Sequence, residues 1–174
     1  VISGLLTSGA RCCDAGIVPT PTLAYVTRDF NAGLMVTASH NPPEYNGIKL
    51  LNPDGSSFDT GQQAQVEEAI LSESFDAAQW EAIKRCSVYE GATERHIECI
   101  LSCLPTELNL RVVVDAGCGA ASEVTPLLLK RLGCEVIALN CYPSGIFPRP
   151  FEPIETNLAD LKKAVKECGA DLGI

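Results

Sequence analysis

Ser39, His40 and Asn41 stand directly before Pro42 and Pro43, and Lys49 follows inside the apolar run Gly-Ile-Lys-Leu-Leu, all within the stretch VTASHNPPEYNGIKL at residues 36–50. A hydroxyl at the end of a strand, carried by a loop that two prolines stiffen, lies where open α/β sheets bind ligands and suits a nucleophile. Serine is a weak nucleophile at neutral pH and needs a neighbouring base or a strong electrophile. His40 is adjacent. Lys49 falls on the returning strand, where alternation turns Ile48 and Leu50 to the core and Lys49 to the other side, toward Ser39. The same residues also fit a plain turn, with Ser39 and Asn41 bonded to backbone groups, His40 solvated and Lys49 an ordinary strand charge. The residues alone leave both readings open.

A second candidate is the glycine loop in LRVVVDAGCGAAS. Asp115, Gly117, Gly119 and Ser122 form a strand-loop-helix element able to approach a phosphate or an adenosine, as in dinucleotide or S-adenosylmethionine sites. Such sites want an acid at the end of the next strand for the ribose hydroxyls, and CEVIALN ends in Asn140. The competing reading is a tight turn that lets helix and sheet pack. Asp115 and Asp171 read as ordinary loop and strand-edge carboxylates. His96, between Arg95 and Ile97, reads as solvated on a polar helix face, and Arg149, in a Pro-rich loop, as solvent-exposed, with the lining of an interdomain cleft as its alternative. Trp80, Phe147 and Phe151 are too dispersed for a nucleic-acid stacking platform.

The composition narrows the partners. A net charge of -9 argues against a nucleic-acid groove, which needs clustered Lys and Arg, and no apolar run approaches the roughly 18–20 residues that cross a bilayer. Nine cysteines without a CxxC do not space as a zinc ribbon or a secreted disulfide scaffold. They read as reduced thiols of a cytoplasmic protein.

The elements that must position these side chains alternate along the chain. Ile2, Leu5 and Leu6 make a helical stripe ending at Ser8-Gly9, AGIVPTP reads as a short strand closed by prolines, and TLAYVTRDF as a helix capped by Thr20 or Thr22. GLMVTAS and GIKLLNP are strands flanking the polar loop, with a turn at Pro53-Asp54-Gly55. Asp59 or Thr60 starts the helix GQQAQVEEAILSES, residues 75–91 carry no clear pattern, and TERHIECILSCL is helical. After Pro105-Thr106-Glu107 a second unit begins: strand LRVVVD, helix SEVTPLLLKRLG, strand CEVIALN, a loop rich in Pro and Phe, helix NLADLKKAVKECG with Asn157 as its cap, and strand ADLGI. Such alternation predicts α/β architecture with helices covering the sheets on both faces. Val1 enters a helix without Met or cap and Ile174 stops in a strand, so both ends read as cuts in a longer chain.

TASHNPPEYNGIKL is similar to the phosphoserine loop of the α-D-phosphohexomutases, the family of phosphoglucomutase, phosphomannomutase and phosphoglucosamine mutase. GIVPTPTLAY, VVVDAGCGAAS, FPRPFEP and ETNLADLKKAVKECGADLGI resemble that family in the same order, so the likeness covers nearly the whole chain. The resemblance implies three-layer α/β/α domains with mixed sheets: domain I over residues 1–107 and a truncated domain II over residues 108–174. It implies that Ser39 carries a transferable phosphoryl group, that His40 helps to position the site, and that Lys49 is an electrostatic and acid–base partner. It further implies Mg²⁺, held through the Ser39 phosphoryl group and by a DGDAD-type loop expected just past Ile174, with a hexose 1,6-bisphosphate as activator and intermediate. The implied partner is a small sugar phosphate, with neither nucleic acid nor membrane. Without the remaining domains the isolated chain is expected to be inactive, and which hexose it serves is open. The alternative is an S-adenosylmethionine- or nucleotide-binding module using residues 115–122.

Overall fold

The computed structural model describes residues 1–39, 41–42, 44–104, 107–150 and 152–174. Within them the strands form three small sheets. β1 (Cys13–Asp14) pairs in parallel with β4 (Ser87–Val88), and β2 (Gly33–Val36) pairs antiparallel with β3 (Ile48–Leu51). The third sheet is parallel, in the order β6 (Glu135–Leu139), β5 (Arg111–Asp115), β7 (Leu172–Gly173). The helices are α1 (Ile2–Thr7), α2 (Thr20–Val26), α3 (Thr60–Leu71), α4 (Ala92–Cys103), α5 (Val124–Arg131) and α6 (Ala159–Cys168). The expected α/β class is borne out, with the strands divided among separate sheets.

The entry into α2 departs from expectation. AGIVPTP is not a strand; pairing comes earlier, at Cys13–Asp14. The Asp14 carboxylate accepts from the Gly16 amide at 2.8 Å, and Gly16 takes a φ of 69°, so the chain turns out of the ladder there. Neither Thr20 nor Thr22 caps α2: extended Pro19 occupies the N-cap place, and Thr22 is fully buried inside the helix. Val18, Val26 and Ala92 form a small core with Leu23, Tyr25 and Tyr89 against it, which ties α2 to α4.

The β2–β3 hairpin forms as the two strand signals predict, but its faces are reversed. Leu51, opposite Gly33, is 2 % exposed, whereas Ile48 is 55 % exposed. A Cβ on Gly33 would come within 2.2 Å of the Thr27 hydroxyl, so the bare glycine lets Leu51 and the chain after α2 pack at one point. Alternation then turns Lys49 and Met35 to the Leu51 side. Past the hairpin, Asp59 caps α3: its side chain accepts from the Gln62 amide at 2.8 Å while the Gln62 side chain accepts from the Asp59 amide at 2.9 Å. Residues 75–91 contain a short 3₁₀ turn, Trp80–Ala82, and β4.

β5 is buried on both faces, as its unbroken apolar run requires of a central parallel strand. Val112 and Val114 pack with Leu132, Cys134, Leu128, Leu129 and Leu101, on the side of α4 and α5. Val113 points to the opposite side, where its neighbour Gly173 lies against Leu161 and Val165 of α6. Three layers result. Asn157 does not cap α6; its side-chain Nδ2 donates to the Glu152 carbonyl at 2.9 Å and Leu158 takes the N-cap place.

Candidate functional site

Ser39 stands just past β2, where the hairpin gives way to a turn. The Thr37 amide donates to the Gly47 carbonyl at 2.9 Å, one rung beyond the strands, and the Ser39 amide donates to the Thr37 hydroxyl at 3.0 Å. The Asn41 amide closes on the Ala38 carbonyl at 3.1 Å and the Tyr45 amide on the Pro42 carbonyl at 3.0 Å. Ser39 takes a φ of 59°, a left-handed conformation that costs a non-glycine residue about 1–2 kcal/mol. It is exposed. The chain therefore places Ser39 at the surface of the bend, and strain of this kind concentrates at functional positions.

Lys49, on β3, pairs with Met35 of β2 and is exposed. Ser39 lies four positions beyond Met35, at most roughly 13 Å at the strand rise, so the two arms of one hairpin carry both residues. His40 lies outside the described residues. Among the described residues no group of three or more His, Cys, Asp or Glu side chains is placed to hold a metal ion. A phosphorylated Ser39 would offer oxygens to the Mg²⁺ that the resemblance implies, and among the described residues no carboxylate cluster stands ready to complete that site.

The carboxyl end of the third sheet holds a second cluster, and two expectations change there. Arg149 is not solvent-exposed: its Nε donates to the Asp115 carboxylate at 2.9 Å, with side-chain exposures of 19 % and 2 %. Nor is Asp115 an ordinary loop carboxylate. It accepts from the Asn140 side chain at 2.9 Å and from the Gly117 amide at 3.0 Å as well. Burial pushes the Asp115 carboxyl up, but the hydrogen bonds from Asn140, Arg149 and Gly117, together with the Arg149 charge, outweigh burial and hold it below its ordinary value. Strand order puts the switch point of this sheet at β5, between β6 and β7, the usual place for a ligand in an open α/β sheet. The Asp115 amide also donates to the Ile174 carbonyl at 2.8 Å.

The glycine loop itself is spent on internal bonds. The Gly117 amide goes to Asp115, Cys118 to the Asn140 carbonyl at 2.6 Å, Gly119 to the Ala116 carbonyl at 2.9 Å and Ser122 to the Gly119 carbonyl at 3.1 Å. Cys118 and Asn140 both take positive φ, 57° and 50°. A loop that cradles phosphate needs these amides free. The nucleotide-binding alternative loses its donors, and the tight-turn reading stands.

His96 is not solvated either. Its Nδ1 and the Thr22 hydroxyl lie 2.9 Å apart, its ring stacks on Tyr25 with centroids 5.5 Å apart, and burial pushes its pKa down. The sequence reading also missed a polar knot between the end of α2 and the start of α4. There Arg95 bonds both Asp29 and the Tyr89 hydroxyl, and that hydroxyl donates to Asp29 at 2.8 Å. Asp29 lies 60 and 66 residues from its partners Tyr89 and Arg95, so no local pattern signalled the knot.

Comparison with known proteins bears on the whole chain. The model of phosphoglucomutase/phosphomannomutase α/β/α domain I matches residues 1–77, and that of α/β/α domain II matches residues 94–174. A probable phosphoglucosamine mutase of Methanococcoides burtonii is 51 % identical over all of this chain and 40 % of its own length. A phosphopentomutase of Thermococcus kodakarensis is 43 % identical over all of this chain and 39 % of its own length. The crystal structure of a phosphoglucomutase/phosphomannomutase family protein from Burkholderia thailandensis superposes with a TM-score of 0.81 at 29 % identity, covering 98 % of this chain and 38 % of that one. The chain thus spans about two fifths of the length of the curated relatives it matches. Two domain models of one family in chain order, likeness to part of its mutases over the whole of this chain and a shared fold place this chain in the phosphoglucomutase/phosphomannomutase family of α-D-phosphohexomutases.

Proposed function

We propose that Ser39 is the phosphoryl carrier of a mutase that interconverts hexose 1-phosphate and hexose 6-phosphate. In the first half-reaction the bond between Ser39 Oγ and phosphorus breaks as a bond forms to a free hydroxyl of the sugar monophosphate, giving a hexose 1,6-bisphosphate, and the proton lost by that hydroxyl ends on Ser39 Oγ. In the second, Ser39 takes the other phosphoryl group and leaves the isomeric monophosphate. Phosphoryl transfer needs little covalent chemistry from the protein and much positioning and charge balance. The Lys49 ammonium supplies positive charge from the opposite strand of the hairpin, and His40 positions the loop. Mg²⁺ bound to the phosphoserine would withdraw charge from the phosphoryl oxygens, its remaining ligands coming from outside the described residues.

The single observation that carries this reading is an exposed serine in a left-handed conformation on a hydrogen-bonded bend within a segment that matches the domain I model. We place the chemistry in the cytoplasm, in keeping with nine free thiols. We also propose that the two units meet at residues 107/108, just past α4. The test is intact-mass analysis after incubation with glucose 1,6-bisphosphate and Mg²⁺. Two proteins serve: the chain itself, and a chimera in which it replaces the matching segment of the Methanococcoides burtonii relative. One phosphate on Ser39 of the chimera, absent from Ser39→Ala, is expected; a chimera that turns over sugar phosphate without Ser39 would overturn the proposal.

A further inference from the structure

The parallel register of β1 and β4 brings two of the nine free cysteines face to face. Cys13 stands opposite Ser87, and the Ser87 amide donates to the Cys12 carbonyl at 3.0 Å. Carried one step back, beyond the two paired rungs, the same register sets Cys12 opposite Cys86. Neighbouring strands run about 4.7–4.9 Å apart, within the Cα separation of about 4.4–6.8 Å that a disulfide spans. Burial first, and the neighbouring Cys86 thiol second, push the Cys12 thiol up, while the Cys86 thiol donates to the Ser87 carbonyl at 3.6 Å. Their access differs. Cys12 is 8 % exposed, whereas Cys86 is half-buried, so a reagent from solvent meets Cys86 first.

We propose that Cys12 and Cys86 form a thiol–disulfide exchange site for low-molecular-weight disulfides, with Cys86 the entry thiol and Cys12 the resolving thiol. The Cys86 thiolate attacks one sulfur of the small disulfide, whose S–S bond breaks and releases one small thiol. Cys12, on losing its proton, attacks the Cys86 sulfur of the mixed disulfide, and the second small thiol leaves. Two protein thiols are oxidised to one disulfide, one small disulfide is reduced to two thiols, and the two protons depart on those thiols. The segment enclosed between the two cysteines contains Ser39 and Lys49. Closing the bridge fastens the chain just before α2 to the chain just before α4, the two helices that flank the His96 contact. The proposal is independent of the phosphoryl chemistry at Ser39.

The folded chain is incubated with hydroxyethyl disulfide, quenched with acid and N-ethylmaleimide, and mapped by peptide mass spectrometry. A Cys12–Cys86 cross-link is expected as the main protein disulfide, with the bridged form melting several degrees higher. Cys12→Ser should stop at a mixed disulfide on Cys86. Cys86→Ser, which alters the less buried partner, should leave Cys12 unmodified while keeping the circular dichroism of the parent. Recovery of Cys12 and Cys86 on separate alkylated peptides from a folded sample would overturn the assignment. So would a cross-link that forms only after the chain is unfolded in guanidinium.

Discussion

Ser39 combines a reactive group with an uncomfortable backbone, and the two can be separated experimentally. Ser39→Ala removes the hydroxyl and keeps the left-handed strain, whereas Ser39→Gly removes both. Neither variant should take up phosphate from a sugar bisphosphate, and Ser39→Gly should be the more stable of the two by about 1 kcal/mol in urea titration. Phosphate found on either would show that the hydroxyl is not the carrier. Asp115 is the other residue whose chemistry is set by its surroundings. Its folded pKa lies below the ordinary carboxylate value, so the folded state favours the ionised form. The stabilisation is present in full above the unfolded value of about 3.9 and is lost as pH falls through the lower folded value. Asp115→Asn leaves Arg149 half-buried without its counter-charge and should cost about 2–3 kcal/mol at neutral pH. The gap between parent and variant should shrink below about pH 4, a trend that thermal melts across acid pH would reveal; a gap independent of pH would assign the loss to packing.

At the scale of elements, the serine bend depends on a hairpin and on the helix that follows it. Gly33 sits where β2 passes Thr27, and a methyl group there would meet the Thr27 hydroxyl at 2.2 Å. Gly33→Ala should therefore lose about 2–3 kcal/mol by overpacking. If the hairpin shifts to make room, amide exchange should quicken at residues 34–37. The capping box of α3 predicts a smaller effect, about 1 kcal/mol for Asp59→Ala in chemical denaturation. Both elements were legible in the linear pattern: an apolar alternation interrupted by prolines, and an Asp three residues before a Gln. The reversed faces of the hairpin were not, because Ile48, Leu50 and Leu51 are equally apolar. Only a glycine across the ladder, backed by a buried threonine from elsewhere, selects Leu51 for the core.

At the scale of the whole molecule, α4 joins the two parts of the fold. Ala92 packs into the cluster with Val18 and Val26, His96 meets Thr22, and Leu101 packs against the Val112–Val114 core. Ile97, fully buried at 0 % exposure, should cost about 2–4 kcal/mol when cut to Ala. Fluorescence of Trp80 and far-ultraviolet circular dichroism, which also reports the third sheet, should then shift together; transitions that separate would mean that the helix does not couple the parts. Function belongs to a still larger scale, since relatives are about two and a half times as long. The chain alone is expected to show no mutase turnover and the chimera to show it, with Lys49→Met lowering kcat at least tenfold in a coupled assay.

Local chemistry and periodicity were enough to read the α/β class, the hairpin around Ser39, the buried run of β5 and most helices, because each depends on residues within a dozen positions of one another. Arg149 and His96 were misread and Asn140 was read only as a missing acid, because their partners Asp115 and Thr22 lie 34, 74 and 25 residues away for Arg149, His96 and Asn140 in turn. Whether a polar side chain is solvated or buried depends on what the fold brings against it. The same holds for Cys12 and Cys86: each is an unremarkable thiol in the linear chain, and only the pairing of β1 with β4 makes them neighbours.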